Sequence, residues 1–548
     1  MYLALLIGGL STLYPFLVMV STAMKSQVDF NDNPLTTVIP TYFYDETALF
    51  RKYVEDRYAN NLDDINGAYG ADFARPADVV PAKEAVTPGT QKLAAHWEAF
   101  QKQLPMTYKK AGFGEHDNAP SRLLLRYREY LREKFKGDIN ALNKAWTEEN
   151  TSFDTVVPPF ERTALRDWTP NTTDPKVADW EAFKKTLPPH FLVTVRVDPL
   201  FRKFLREDRY EDDLARLNSA WGTQFADWTE ITFPGFPPTM TAEALADWTE
   251  FGDRKFPTRM LSQNDDGLIY DSAENLWRLA LQREYKTVEA ANTEFGTNWR
   301  TFNEVQPPQA IVDWNYVREN AGALRSEFAT RNFRTVAGYI LLHGRAVFNT
   351  LVFCALAILT AIIVNPMCAY ALSRYNLPYA YQVLIFVLAT MAFPAEVAMI
   401  PNFLLLRDLG MLNTFWALVL PGIANGFSIF LLKGFFDSLP KELYEAGILD
   451  GASELTMFRR ITMPLSLPIF SVIALNAFTG AYGAFLFAMV VCQDPKMWTL
   501  MVWLYDLQAR APQYVIFAAL TLAAIPTLLV FLAAQKVILR GIILPSFK

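Results

Sequence analysis

Beyond Arg345 the sequence runs in long stretches without charge. Residues 346–373, 409–432, 461–493 and 511–535 contain no Asp, Glu, Lys or Arg, and 375–406 contains only Glu396. Each exceeds the ~20 residues that a helix needs to cross the hydrocarbon of a bilayer. Inside lipid every backbone N–H and C=O must be satisfied within the segment, so such stretches fold as helices. Residues 1–24 are also uncharged. Six membrane-spanning helices are therefore expected, one at 1–24 and five within 345–548. A cleaved signal peptide is the competing reading of 1–24, but the segment lacks a basic start and a clear cleavage site.

Between these ends lies a region of another kind. Residues 25–345 carry 40 Lys and Arg against 48 Asp and Glu, a net of −8, whereas the remainder carries 11 against 9, a net of +2, giving −6 for the chain. An acidic soluble region with no basic face argues against a nucleic-acid partner. Cys354, Cys368 and Cys492 all fall in or beside apolar segments. A region of this size buries a core without disulfides, so their absence from it is neutral on compartment. His96, His116, His190 and His343 show no ligand spacing, and metal chemistry is not expected.

Within 25–344 a repeat is visible. Asn66, Asn143, Asn218 and Asn292 follow one another at intervals of 77, 75 and 74 residues, in contexts such as Asn143-Lys144-Ala145-Trp146 and Asn218-Ser219-Ala220-Trp221. An aromatic helix precedes each, and a further helix carries Trp97, Trp180, Trp248 or Trp314. These features predict four tandem helical modules of about 75 residues, each too small to bury a core alone and therefore stacked on its neighbours. The aromatics are then core. A sharper alternative gives Trp146 and Trp221 open faces on which a sugar ring stacks. The repeated Asn reads as a helix cap or a buried hydrogen-bonding wedge. The modules resemble a helical segment of some retaining β-galactosidases but bring no catalytic carboxylate pair, so no enzymatic activity follows.

A charged interruption at 439–468, LPKELYEAGILDGASELTMFRRITMPLSLP, separates two apolar segments. It predicts two short helices joined at Gly451, a residue free to adopt the left-handed conformation. Asp437 or Ser438 is expected to cap the first helix, with Pro440 in its first turn, and the second, 454–461, to stop before Pro464. Leu443, Ala446, Gly447 and Asp450 share one helix face by spacing. Leu443, Tyr444, Ile448, Leu449, Met457, Phe458 and Ile461 need a cover that is not lipid.

Glu445-Ala446-Gly447, then Asp450-Gly451-Ala452, Phe458 and Pro464, resemble the EAA loop of ABC import permeases. Asn349-Thr350, the run AYALSRY at 369–375, LGMLNT at 409–414 and FFDSLP at 435–440 resemble maltose-type carbohydrate permease subunits. The likeness covers 1–24 and 345–548 but not the middle. It implies an all-α permease core of six transmembrane helices, carrying 25–344 as a mainly helical extracytoplasmic insert in the cytoplasmic (inner) membrane. It also implies that Leu443, Glu445, Ala446, Gly447, Asp450, Gly451, Ala452 and Phe458 dock on a separate ATPase. The expected partners are two ATP-binding subunits, a second permease subunit, an extracytoplasmic solute-binding protein and membrane lipid. No catalytic residue and no cofactor belong to this chain; ATP and Mg are bound by the partner, in keeping with the lack of a G-x-x-x-x-G-K-[ST] loop here.

Basic residues set the orientation. Arg374, Lys433, Lys441, Arg459, Arg460, Lys536, Arg540 and Lys548 lie on the side of the 439–464 loop, against Arg407, Lys496 and Arg510 on the other, which puts the loop in the cytoplasm and 25–344 outside. Polar groups within spans are candidates for the solute path, namely Glu396, Asn476, Thr479 and Tyr482. Where relatives carry Trp-Asn and an acidic residue, this chain has Tyr482-Gly483-Ala484-Phe485, so pore contacts do not transfer there. The alternative function is a membrane-anchored extracytoplasmic carbohydrate-binding or receptor protein, which needs neither six spans nor a docking loop.

Overall fold

The computed structural model describes residues 2–32, 37–111, 122–150, 152–237, 241–264, 267–338, 345–375, 377–389 and 394–540. The chain divides into two units, Met1–Asn332 and Phe333–Lys548. The first begins with the apolar helix Tyr2–Ala23. The end of that helix is anchored within its own unit, because Asn332 Nδ2 donates to the carbonyls of Ala23 and Lys25 at 2.8 and 2.9 Å.

In the rest of this unit one local structure recurs four times. An eight-residue helix, Leu62–Tyr69, Ile139–Trp146, Leu214–Trp221 or Val288–Phe295, starts at a side-chain cap and ends at a left-handed residue, Gly70, Thr147, Gly222 or Gly296. Its asparagine grips the residue seven places on: Asn66 with Phe73, Asn143 with Asn150, Asn218 with Phe225 and Asn292 with Trp299. In each case Nδ2 donates to the carbonyl and Oδ1 accepts the amide, within 2.8–3.0 Å. The asparagine is thus the wedge of a tight turn.

An arginine on the preceding helix closes each motif. Arg51, Arg128, Arg202 and Arg278 donate Nε to the carbonyls of Val79, Val156, Ile231 and Val305, at 2.9, 3.2, 2.7 and 2.9 Å. Those carbonyls follow a short 3-10 turn, so the guanidinium stitches the end of the motif to its first helix.

The partner helices are not taken in sequence order. Pro175–Lys184 and Ala242–Arg254 pack on the motifs just before them, with Trp180 and Phe183 in one core and Trp248 and Phe251 in another. Pro88–Gln103, however, puts Trp97 and Leu93 into a core with Trp277, Leu281 and Phe295 of the fourth motif. Gln309–Glu319 puts Trp314 and Val317 into the core of the first, with Phe50, Tyr53, Tyr58 and Ile65. Four apolar cores result, and the exchange of two helices ties the last motif to the first. Two short antiparallel ladders, Lys109–Ala111 with Leu192–Thr194 and Leu261–Asn264 with Gly267–Tyr270, are the β-structure among the described residues.

The second unit is helical. Ala346–Arg374 and Gln513–Gln535 are long and apolar enough to cross a membrane, as is Leu5–Ala23 of the first unit. Two bent pairs, Phe415–Gly422 with Gly426–Asp437 and Glu454–Leu465 with Leu467–Tyr482, would raise three such helices to five if each pair is one span. The stretch 375–406 holds two shorter helices, Ala380–Ala389 and the start of Ala395–Asp408, instead of one described continuous span. Asn365, buried in the middle of Ala346–Arg374, donates to Ala361 O and accepts the Asn425 amide at 2.8 Å, so it fastens two helices together next to Pro366.

Candidate functional site

The 439–468 segment forms the two expected helices. The first runs Lys441–Leu449 and begins just after Pro440 without a side-chain cap. Asp437 is occupied elsewhere, accepting from Ser373 Oγ at 2.7 Å and from Lys433 Nζ at 2.6 Å, and Ser438 Oγ donates to Phe435 O. Neither residue can therefore cap it. Gly451 has φ +72°, and the Ala452 amide returns to Gly447 O at 2.9 Å, closing the helix in a left-handed turn.

The second helix begins at Glu454, after the Ser453 cap, and does not stop before Pro464. A wide turn at Phe458–Thr462 lets the chain carry Pro464 through to Leu465. A widened turn relaxes the clash between a proline ring and the carbonyl four residues earlier. An 82° bend then opens Leu467–Tyr482.

The two helices close on each other and on the end of Ala346–Arg374. A Cβ on Gly447 would meet Met457 Cγ and Sδ at 3.3 Å and Ile461 Cδ1 at 3.4 Å, so the glycine lets the hairpin shut. Gly447 therefore serves the inner packing, whereas Leu443, Ala446 and Asp450 are exposed, as are Glu445 and Gly451. Ala452 is half-buried. Phe458, expected to dock on a partner, packs edge-on against Tyr370 with centroids 5.2 Å apart. Tyr444 is buried, with its hydroxyl 2.8 Å from Thr462 Oγ1 and the Arg374 guanidinium 3.7 Å from its ring centroid. Tyr370 Oη donates to Glu454 Oε2 at 2.8 Å, and Arg374 also donates to Phe436 O.

What remains outside is an apolar face without a cover. Leu449 is 88% and Leu455 71% exposed, and Leu443 and Ile448 are exposed beside them. Burying such side chains is worth ~1.5–3 kcal/mol each, so a surface of this kind in a charged loop fits a protein partner. Tyr370 and Arg374 hold the loop, a role that the sequence marks only by their place in the AYALSRY run.

The other candidates separate. Tyr482 is buried and donates to Ala523 O at 2.5 Å, tying Leu467–Tyr482 to the last helix. Asn476 and Thr479 sit on an exposed face of the same helix, one turn apart. Glu396 falls in the first turn of Ala395–Asp408, and its side chain lies outside the described residues. Trp146 and Trp221 do not form a stacking platform. They are 7% and 6% exposed, and their Nε1 groups donate to buried Asp179 and Asp247 at 3.0 and 2.9 Å, so ring and donor are both used inside the fold.

Residues 347–544 match the family described as binding-protein-dependent transport system inner membrane component. The chain is 29% identical over 215 residues to the diacetylchitobiose uptake system permease protein NgcG of Streptomyces coelicolor, covering 37% of this chain and 70% of that one. It is 32% identical over 201 residues to the polygalacturonan/rhamnogalacturonan transport system permease protein YtcP of Bacillus subtilis, covering 34% and 70%. A solved chain from a bacterial ABC transporter involved in alginate import shares 26% identity, with a TM-score of 0.33, over 37% of this chain and 78% of that one. With its helix-glycine-helix loop inside the matched region, the chain belongs to the inner-membrane component family of binding-protein-dependent transport systems.

Proposed function

We propose that this protein is a permease subunit of a binding-protein-dependent ABC importer that moves a carbohydrate across the cytoplasmic membrane. The observation that carries the reading is the Gly451 hairpin, which spends Tyr444, Met457 and Phe458 on internal packing and leaves Leu443, Ile448, Leu449 and Leu455 uncovered. In this reading two partner subunits bind ATP and Mg and hydrolyse the nucleotide, and one of them receives the hairpin in a cleft. A second permease subunit completes the pore, and an extracytoplasmic binding protein delivers the solute. The carbohydrate assignment is supported by the substrates named for NgcG and YtcP.

The proposed topology has six spans. The first is 1–24, and 375–406 supplies the third. Residues 25–344, with the four motifs around Asn66, Asn143, Asn218 and Asn292 as tandem modules, stand outside. The 439–464 loop faces the cytoplasm. Movement of the docked hairpin would pass directly into Gly426–Asp437 and Leu467–Tyr482, which are continuous with it, and through Tyr370 and Arg374 into Ala346–Arg374. Asn476 and Thr479 are proposed to face the solute path.

The test is Gly451→Trp in the assembled transporter. At φ +72° no side chain is accommodated without strain, and the bulk falls on the docking face. Loss of both solute uptake and solute-stimulated ATP turnover is expected, and normal values of both would refute the docking role. Uptake of labelled oligosaccharides by proteoliposomes holding the full assembly tests the solute class.

A further inference from the structure

The first unit contains a cleft of about 680 Å³ between the first and third motifs, bordered by Gly67, Pro199 and the 163–166 segment. That volume is in the range of small-molecule sites. The charged side chains lining it are eight Lys and Arg against five Asp and Glu; Arg166, Arg196 and Arg254 pair with Asp167, Glu274 and Glu250 just off the lining, which leaves Arg202 as the lining cation without an ion pair among the described residues. The acids at the rim are already matched: Asp64 lies 2.6 Å from Lys110, Asp63 3.4 Å from Lys203 and Asp208 2.9 Å from Lys255.

Behind the cleft Arg196, Arg202 and Arg278 are 7%, 8% and 3% exposed, and they share two carboxylates, Asp198 and Glu274, that are fully buried. Asp198 pairs with Arg278, and Glu274 lies 3.3 Å from Arg196. Arg202 forms no ion pair within this group. Its Nε is spent on Ile231 O, and the nearby Asp227 accepts the Thr229 amide at 2.7 Å. Arg196 and Arg202 both line the cleft, and the Nη2 of each is buried without a hydrogen-bond partner among the described residues. A buried guanidinium short of an acceptor is costly, the more so for Arg202, which also lacks the ion pair that Glu274 gives Arg196. Burial pulls Arg202 down to about 10, and Asp198 only partly offsets it.

We propose that this cleft binds the carboxylate of an acidic sugar, an oligosaccharide built of uronic acids, with Arg202 and Arg196 meeting the carboxylate and Lys110 and Lys203 holding the next anionic residue at the rim. Guanidinium groups suit planar carboxylates, and charge-assisted bonds of this kind are about twice as strong as neutral ones. The choice of a sugar rests on the carbohydrate-import reading above; the choice of an anion rests on the cleft alone.

The test is calorimetric binding to the full chain in lipid nanodiscs at low salt, using tri-galacturonate, the neutral maltotriose and inorganic sulfate as probes. Tri-galacturonate is expected to bind at least ~10-fold more tightly than either of the others, and Arg202→Gln to weaken it ~10-fold or more. Lys110→Gln with Lys203→Gln, which leaves the buried arginines untouched, is expected to weaken it about threefold and flatten its salt dependence. Equal binding of the two sugars, sulfate binding as tightly as tri-galacturonate, or unchanged affinity in the lysine variant overturns the proposal. Because no partner subunit is present, the result is separate from transport: an assembly that imports sugar while this chain ignores tri-galacturonate keeps the import reading and loses this one.

Discussion

Glu284 Oε2 lies 3.0 Å from His96 Nε2, and this pair inverts a polarity found three times elsewhere. In the other motifs the cation is on the first helix and the carboxylate on the partner helix: Arg57 with Asp313 at 2.9 Å, Lys134 with Asp179, and Arg209 with Asp247 at 2.7 Å. His96 Nδ1 accepts from Trp277 Nε1 at 2.9 Å, which leaves the Nε2 proton to Glu284. The inversion coincides with the exchange of helices. Were Pro88–Gln103 to pack on the motif before it, the donor His96 would meet Arg57; were Gln309–Glu319 to pack on the fourth motif, Asp313 would meet Glu284. Both mismatches oppose the wrong pairing. Glu284→Arg is therefore expected to destabilise by ~0.5–1 kcal/mol at this partly exposed site, and His96→Asp with Glu284→Arg to recover most of the loss. A double-mutant cycle on thermal unfolding of the full chain measures it; strictly additive effects would show that the pair does not discriminate.

Asp313 should be the most sensitive single position of the exchanged helices. It is fully buried and accepts from Tyr58 Oη, Tyr69 Oη and Gln309 Nε2, each at 2.9 Å, besides its bond to Arg57. Asp313→Ala leaves Arg57 buried without a counter-charge, a change that costs roughly 3–5 kcal/mol. Amide exchange should quicken first in Glu46–Arg57, Leu62–Tyr69 and Gln309–Glu319. Uniform quickening across all four cores would mean that they open together.

Much of this architecture can be read from the residues. Uncharged length fixes helices at both ends, and the spacing of Asn66, Asn143, Asn218 and Asn292 marks the recurring turn. The exchange cannot be read from periodicity, because Trp97 follows the first motif in the chain while its ring belongs to the fourth; only His96, standing where Asp179, Asp247 and Asp313 stand, hints at it. Arg51, Arg128, Arg202 and Arg278 keep nearly the same period as the asparagines, yet their partners are carbonyls, which leave no residue-type signal. In the loop, the break at Gly451 is legible, but neither the passage of the second helix through Pro464 nor the division of apolar residues between inner packing and free surface is. Helical spacing puts Gly447 with Leu443, whereas the fold turns it toward Met457.

Glu55 gives the first unit a pH dependence. Its carboxyl accepts from Ser26 Oγ at 2.5 Å and from the Val28 amide at 3.0 Å, and burial, partly offset by Lys52, pushes it up to about 7. An acid raised in the folded state contributes stability that is complete below its unfolded value and lost as pH rises through the folded one. The contribution is therefore present at pH 4.5 and gone above pH 7. Glu55→Gln should remove this slope, so that wild type and variant diverge in Tm with rising pH between 5 and 8, the variant becoming relatively more stable. Parallel curves would show that Glu55 does not titrate between pH 5 and 8 in the folded chain.

Tyr370 offers a way to separate docking from transmission. Its hydroxyl holds Glu454 while its ring supports Phe458, so Tyr370→Phe deletes the hydrogen bond and leaves the packing. A bond to a carboxylate is worth ~1.5–3 kcal/mol, part of which couples the hairpin to Ala346–Arg374. With the exposed face of Leu443, Leu449 and Leu455 intact, the partner ATPase should still bind the hairpin and turn over. Solute carried per ATP should fall, about fivefold for ~1 kcal/mol of lost coupling. Gly451→Trp, by contrast, should remove turnover as well. Equal losses of uptake and turnover in Tyr370→Phe would place this residue in the docking surface; no loss of either would leave transmission to the helices continuous with the hairpin, Gly426–Asp437 and Leu467–Tyr482.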